Sequence, residues 1–273
     1  MKAPIGIFDS GYGGLTILKE IVDVLPEYDY IYLGDNARAP YGTKDFETVY
    51  EYTFQAVNWF FDKGCSLVIL ACNTASAKAL RSIQQNDLPK IDTNKRVLGV
   101  IRPTSEIIGE YSKSKHVGVL GTTGTINSNS YLIEVAKFFP DIKVSQEACP
   151  EWVSLVENNN LHSAETDHFV QLHINQILGN DSQIDTLLLA CTHYPLLMDK
   201  IKQYTPQGIA VISQGKIVAE SLKNYLSRHD NIESACSKTG NRQFYTTGNS
   251  ADFNNHASLF FGSPVTCEPT ILR

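Results

Sequence analysis

Val68-Ile69-Leu70-Ala71-Cys72-Asn73-Thr74-Ala75-Ser76 is a short apolar run that stops at a thiol and a set of small polar residues. Leu187-Leu188-Leu189-Ala190-Cys191-Thr192-His193-Tyr194-Pro195 nearly copies it. Such a run, almost free of polar residues, reads as a strand of a parallel sheet covered on both faces. The polar stop then marks the carboxyl end of the strand and the start of a helix. Working outward, Ile5–Phe8, Tyr30–Leu33, Val97–Ile101, His116–Leu120 and Ile209–Ile212 have the same character. Helical patterns lie between them: Phe46, Val49, Tyr50, Thr53, Val57 and Phe60 recur at helical spacing, with Thr43 or Asp45 as a cap, and so do Ile217, Val218, Ser221, Leu222 and Tyr225. Alternation of this kind predicts an α/β fold with mostly parallel sheets flanked by helices.

The pattern repeats. Ile5-Gly6-Ile7-Phe8-Asp9-Ser10-Gly11 has the shape of Val117-Gly118-Val119-Leu120-Gly121-Thr122-Thr123, 112 residues later, and Cys191 follows Cys72 by 119. We expect two similar α/β domains related by a pseudo-two-fold axis, with the active site in the cleft between them. Residues 1–97 plus 208–273 would form the first domain and residues 98–207 the second. The segment beyond about 207 is too small to stand alone and is expected to complete the first unit.

Bulk properties narrow the function. The 273 residues carry a net charge of −6 and no basic run, which argues against a nucleic-acid binder. With 42% apolar residues there is material for a sizeable core, yet no stretch reaches the roughly 18 apolar residues of a membrane span. The first residues lack a signal-peptide layout, so a cytoplasmic protein with reduced thiols is expected. The six cysteines include no CxxC pair, and no metal site is expected.

Ligands of open α/β sheets bind beyond the carboxyl ends of the strands. Cys72 and Cys191 both sit there, each at the start of a helix whose amides and dipole would favour a thiolate. Inverting a stereocentre needs a base on one face of a carbon and an acid on the other, and an equivalent pair of thiols supplies both. A cysteine hydrolase would need only one nucleophile beside a base. His193, two residues past Cys191, either tunes that thiol or is a structural histidine. Asp9 and Ser10 end the first strand; they either cap a helix or face the cleft, where Asp9 would bind an ammonium group or help move the proton of Cys72. Pro40-Tyr41-Gly42 is a turn, or a carboxylate holder through Tyr41 and the Gly42 amide. Thr122 and Thr125 cap a helix or bind an anion. Glu157 is a cleft carboxylate or a solvated one. Arg38 is the sole arginine in these motifs, so an anion site would be built from amides and hydroxyls. Cys65, Cys236 and Cys267 lack comparable surroundings and are taken as structural or exposed. Competing readings are a racemase acting on aspartate or another small substrate, a cysteine hydrolase, and a non-catalytic redox or ligand-binding module in which the two thiols form a disulfide.

Taken together, the Asp9 loop, Pro40-Tyr41-Gly42, Ala71-Cys72-Asn73-Thr74, the Gly121 loop, Cys149-Pro150 and Cys191-Thr192-His193-Tyr194-Pro195 resemble the aspartate/glutamate racemase superfamily, and glutamate racemase within it, over nearly the whole chain. The resemblance implies interconversion of L- and D-glutamate without cofactor or metal, supplying D-glutamate for peptidoglycan. It implies that Cys72 removes the α-proton of D-glutamate and Cys191 that of L-glutamate, with Asp9, His193 and Glu157 as auxiliary groups. Ser10, Tyr41, Gly42, Asn73, Thr74 and Thr192 fall on substrate-binding positions, and Pro40, Thr122, Thr125, Asp9 and His193 are candidates with them. A homodimer is common in the family. Relatives activated by a cell-wall precursor tend to carry an extra N-terminal segment, so such activation is not expected here. Two small departures stand out: Tyr12 replaces a small apolar residue, and Ala190 a frequent glycine.

Overall fold

The computed structural model describes residues 2–273. Ten strands run through it: β1 (Ile5–Asp9), β2 (Tyr30–Gly34), β3 (Leu67–Leu70), β4 (Arg96–Gly99), β5 (His116–Gly121), β6 (Lys143–Ala148), β7 (Thr186–Ala190), β8 (Ala210–Ser213), β9 (Arg242–Thr246) and β10 (Cys267–Pro269). They form a six-stranded sheet in the order β10-β9-β2-β1-β3-β4 and a four-stranded sheet in the order β6-β5-β7-β8, and every pairing is parallel.

The internal repeat is visible in these orders. Reading β2-β1-β3-β4 against β6-β5-β7-β8 matches β1 with β5 and β3 with β7. The Asp9 and Thr122 loops are therefore equivalent, and so are the turns holding Cys72 and Cys191. β1, β2, β3 and β7 are buried along their whole length, as the apolar runs required.

Three strands escaped the sequence reading for a physical reason. β6 (KVSQEA) is an edge strand with no fully buried residue, so its polar side chains mask the pattern. β9 opens on exposed Arg242 and Gln243, and β10 is a three-residue edge. β9 and β10 belong to the six-stranded sheet. β8 does not: it pairs with β7. The chain thus crosses between sheets after β4, near residue 100, and after β8, near residue 214, rather than at 97 and 208.

Helices sheathe the sheets. Asp45, not Thr43, caps the helix Phe46–Asp62 by accepting from the Thr48 amide at 2.8 Å. The helices Leu15–Val24 and Gly215–Arg228 pack together, their apolar sides carrying Leu18, Ile21, Ala219 and Leu222. Among the described residues no helix is long and apolar enough to cross a membrane.

Candidate active site

The carboxyl ends of both sheets open into one cavity of about 220 Å³, and both Cys72 and Cys191 line it. Each sulfur-bearing residue is nearly buried, at 6% exposure. Cys72 caps the short helix Asn73–Lys78: its Sγ accepts from the Ala75 amide at 3.4 Å and lies 3.6 Å from Ser10 Oγ.

The expected thiolate bias at Cys72 is not what the surroundings of the sulfur provide. Burial, with the negative charge of Asp9 behind it, pushes the thiol up to about 12, against the Ala75 amide and Ser10, which pull it down. One short helix cannot offset desolvation of a charged sulfur. An opposite charge brought into the cleft would favour the thiolate.

On the other side, His193 Nδ1 lies 3.9 Å from Cys191 Sγ and its Nε2 is 2.9 Å from Glu157 Oε1. Burial disfavours the charged ring, but the hydrogen bonds to Cys191 and Glu157 outweigh it and lift His193 to about 10. These contacts favour the imidazolium form of His193 beside that sulfur. Phe260 of the helix Ser250–Phe261 packs edge-on against its ring at 5.3 Å.

Asp9 is completely enclosed and lies behind the wall of the cleft rather than in it. Its carboxylate accepts from the Gly11 amide at 2.9 Å and from Thr192 Oγ1 at 3.3 Å. Burial raises its pKa, while the His193 charge and these hydrogen bonds work against the rise. Asp9 is thus linked to the cleft lining by its hydrogen bond to Thr192 and by its charge near Cys72.

Ser10, Pro40, Tyr41, Gly42, Asn73, Thr74, Thr122, Glu157, Thr192 and His193 line the cavity with the two thiols. Thr125 does not; it is buried one layer back, where its amide donates to Thr122 Oγ1 at 3.2 Å. Thr122 Oγ1 and Thr74 Oγ1 meet at 2.9 Å, and the Gly124 amide donates to the Gly42 carbonyl at 2.8 Å. These contacts stitch the loops of the two repeats together across the cleft.

Tyr41 is present but turned. Its hydroxyl donates to Asp35 Oδ2, which also takes Arg38 Nε at 2.7 Å. The Tyr41 hydroxyl is therefore committed to the Asp35 carboxylate and not to a ligand in the cleft. Among the described residues no lysine or arginine lines the cavity. The polar groups it offers an anion are amides and hydroxyls. Ala39, Thr43, Thr123, Pro150, Val153 and Ser154 complete the lining and escaped the sequence reading. Val153 and Ser154 lie four and three residues before Glu157 in the helix Glu151–Glu157, and that spacing alone puts them on its face.

All six cysteines are free and buried, which makes Cys65, Cys236 and Cys267 interior residues rather than exposed ones. No cluster of metal-ligating side chains occurs among the described residues.

Comparison with known proteins agrees with this geometry. The chain is 38% identical to a glutamate racemase from a Ruegeria species, over 97% of this chain and 98% of that protein. The solved structure of a glutamate racemase isoform from Bacillus anthracis superposes with a TM-score of 0.89 at 33% identity, covering 99% of this chain and 98% of the other. A glutamate racemase from Francisella tularensis, solved in complex with D-glutamate, does so with a TM-score of 0.85 at 31% identity over 99% and 98%. The family model described as Asp/Glu/Hydantoin racemase matches residues 6–222. With paired thiols at equivalent strand ends and relatives of this kind along its whole length, the chain belongs to the Asp/Glu/Hydantoin racemase family.

Proposed function

We propose that the chain is a glutamate racemase that inverts the α-carbon with two opposed thiols, Cys72 and Cys191, and without pyridoxal phosphate. The observation that carries the reading is that equivalent turns of two repeated units each present a thiol to one small cavity. One sulfur removes the α-proton while the other, protonated, delivers a proton to the opposite face; in the reverse direction they exchange roles. By family resemblance, Cys72 attacks D-glutamate and Cys191 attacks L-glutamate.

The electrostatics fit this division. The Cys72 thiol, held neutral by burial, is ready to donate. When it must act as base, the substrate ammonium supplies the positive charge that favours its thiolate. On the Cys191 side the charged His193 is the proton reservoir, held by Glu157. The substrate carboxylates take amides and hydroxyls from Ser10, Gly42, Asn73, Thr74, Thr122 and Thr192. Product D-glutamate feeds peptidoglycan synthesis, the established role of glutamate racemases. We place the protein in the cytoplasm as a homodimer of two-domain chains divided by sheet membership.

Incubating L-glutamate with the purified protein in D2O, with no added cofactor, tests the reading. D-glutamate deuterated at Cα should accumulate until the enantiomers are equal. Turnover of aspartate but not glutamate, or a hydrolysed product, would refute it.

Gly13 gives a further expected result. A Cβ there would stand 2.2 Å from Thr192 Oγ1 and 2.5 Å from His193 Nδ1, and both residues are walled in. Gly13→Ala should lower kcat/KM about 100-fold, the scale of an ångström misplacement in a catalytic site, while far-UV circular dichroism stays unchanged.

A further inference from the structure

Asn73 follows the Cys72 thiol directly, and its side-chain amide is not free to turn. Tyr131 Oη donates to Asn73 Oδ1 at 2.7 Å, and Asn73 Nδ2 donates to Gln214 Oε1 at 2.7 Å. Gln214 Nε2 in turn reaches Tyr131 Oη at 2.7 Å, Thr104 Oγ1 at 3.0 Å and the Val100 carbonyl at 3.1 Å. Its two hydrogens serve three acceptors, one being shared. Asn73, Tyr131, Thr104 and Gln214 are each at most 3% exposed.

The direction of this network has a single source. A backbone carbonyl can only accept, so Val100 requires the nitrogen of the Gln214 amide. The Gln214 oxygen must then face Asn73, which requires the nitrogen of Asn73 there and leaves Asn73 Oδ1 to the Tyr131 hydroxyl. One Asn73 N–H is consumed by Gln214. The other has no acceptor among the described residues, and Asn73 lines the cavity.

The anchor points are also informative. Val100 follows β4 and Gln214 follows β8, the two places where the chain passes between the sheets. The network therefore ties both crossings to the residue beside the Cys72 thiol.

We propose that Gln214, with Tyr131, is a positioning residue for substrate binding: it holds the Asn73 amide so that its remaining N–H is presented to a substrate carboxylate. The inference rests on the racemase reading above. Neither Gln214 nor Tyr131 touches substrate; both act through Asn73. A carboxylate is charged throughout the reaction, so a donor that holds it contributes mainly uniform binding and its loss is felt in KM more than in kcat.

Steady-state kinetics with L- and D-glutamate test this in the wild type, Gln214→Met, Tyr131→Phe, Asn73→Ala and the doubles Gln214→Met/Asn73→Ala and Tyr131→Phe/Asn73→Ala. Gln214→Met and Tyr131→Phe should each raise KM about tenfold, with kcat within about threefold. Neither should add to the KM of Asn73→Ala, because a residue that works only through Asn73 has nothing left to position. Should Gln214→Met fail to fold, the Tyr131→Phe pair completes the same cycle, since it removes one oxygen and keeps the ring. Unchanged KM in the folded single variants, or effects that multiply in the doubles, would overturn the inference while leaving the racemase reading intact. A wild-type protein inert on glutamate would overturn both.

Discussion

Replacing either Cys72 or Cys191 by alanine is expected to lower racemisation by at least about 10³-fold, within the range that one general acid or base supplies. The loss should be of inversion, not of all proton chemistry. A variant that keeps one thiol still has a base on one face of the α-carbon. It can remove the proton from the matching enantiomer and return a solvent deuteron to the same face. Cys72→Ala should therefore exchange the α-proton of L-glutamate without making the D form, and Cys191→Ala should do the reverse. Proton NMR in D2O follows the exchange, and polarimetry follows the inversion. Both cysteines line the cavity wall, each 6% exposed as a residue, so the fold should survive either substitution. Exchange of both enantiomers by a single-thiol variant would show that the two sulfurs do not divide the faces between them.

Substituting His193 by glutamine should cost about 100-fold or more in kcat/KM, as expected for a group that supplies a proton during turnover. Because the two enantiomers are equally stable, kcat/KM must fall alike in both directions. The pH profile adds a signature. His193 is held charged up to about 10 by Cys191 and Glu157, against burial. Its proton is present below that pH and is lost as pH rises through it, so wild-type kcat/KM should decline on the alkaline side near 10. In His193→Gln that limb should vanish. Glu157→Gln removes one of the contacts that raise the histidine, so the limb should move to lower pH without disappearing. An alkaline limb unmoved by either change would assign it to another group.

Much of the architecture could be read from apolar runs because parallel strands covered on both faces tolerate so few polar residues. β1, β2, β3, β5 and β7 announced themselves this way, and the polar stops after them located the turns that hold Asp9, Cys72, Thr122 and Cys191. The reading weakened where burial is partial. β6 and β10 lie at sheet edges, and β9 begins in solvent. β8 carries an apolar core of only Val211-Ile212, and nothing local says which sheet it joins.

The candidate site divides along a similar line. Residues at strand ends could be placed because the backbone fixes their position. Side-chain orientation could not, because it depends on partners far along the chain. Tyr41 turns to Asp35, which Thr247 also engages at 2.7 Å from 212 residues away. Asn73 is directed by Gln214, 141 residues on. The pKa of Cys72 missed its expected direction for the same reason: a helix start is visible in sequence, but the depth of burial and the Asp9 charge behind it belong to the assembled cleft.

A crystal structure of the protein with D-glutamate bound tests the central claim most directly. The account predicts the α-carbon between the two sulfurs, with Cys72 Sγ and Cys191 Sγ in contact with it from opposite faces. A substrate touching only one sulfur, or meeting both from the same side, would contradict it.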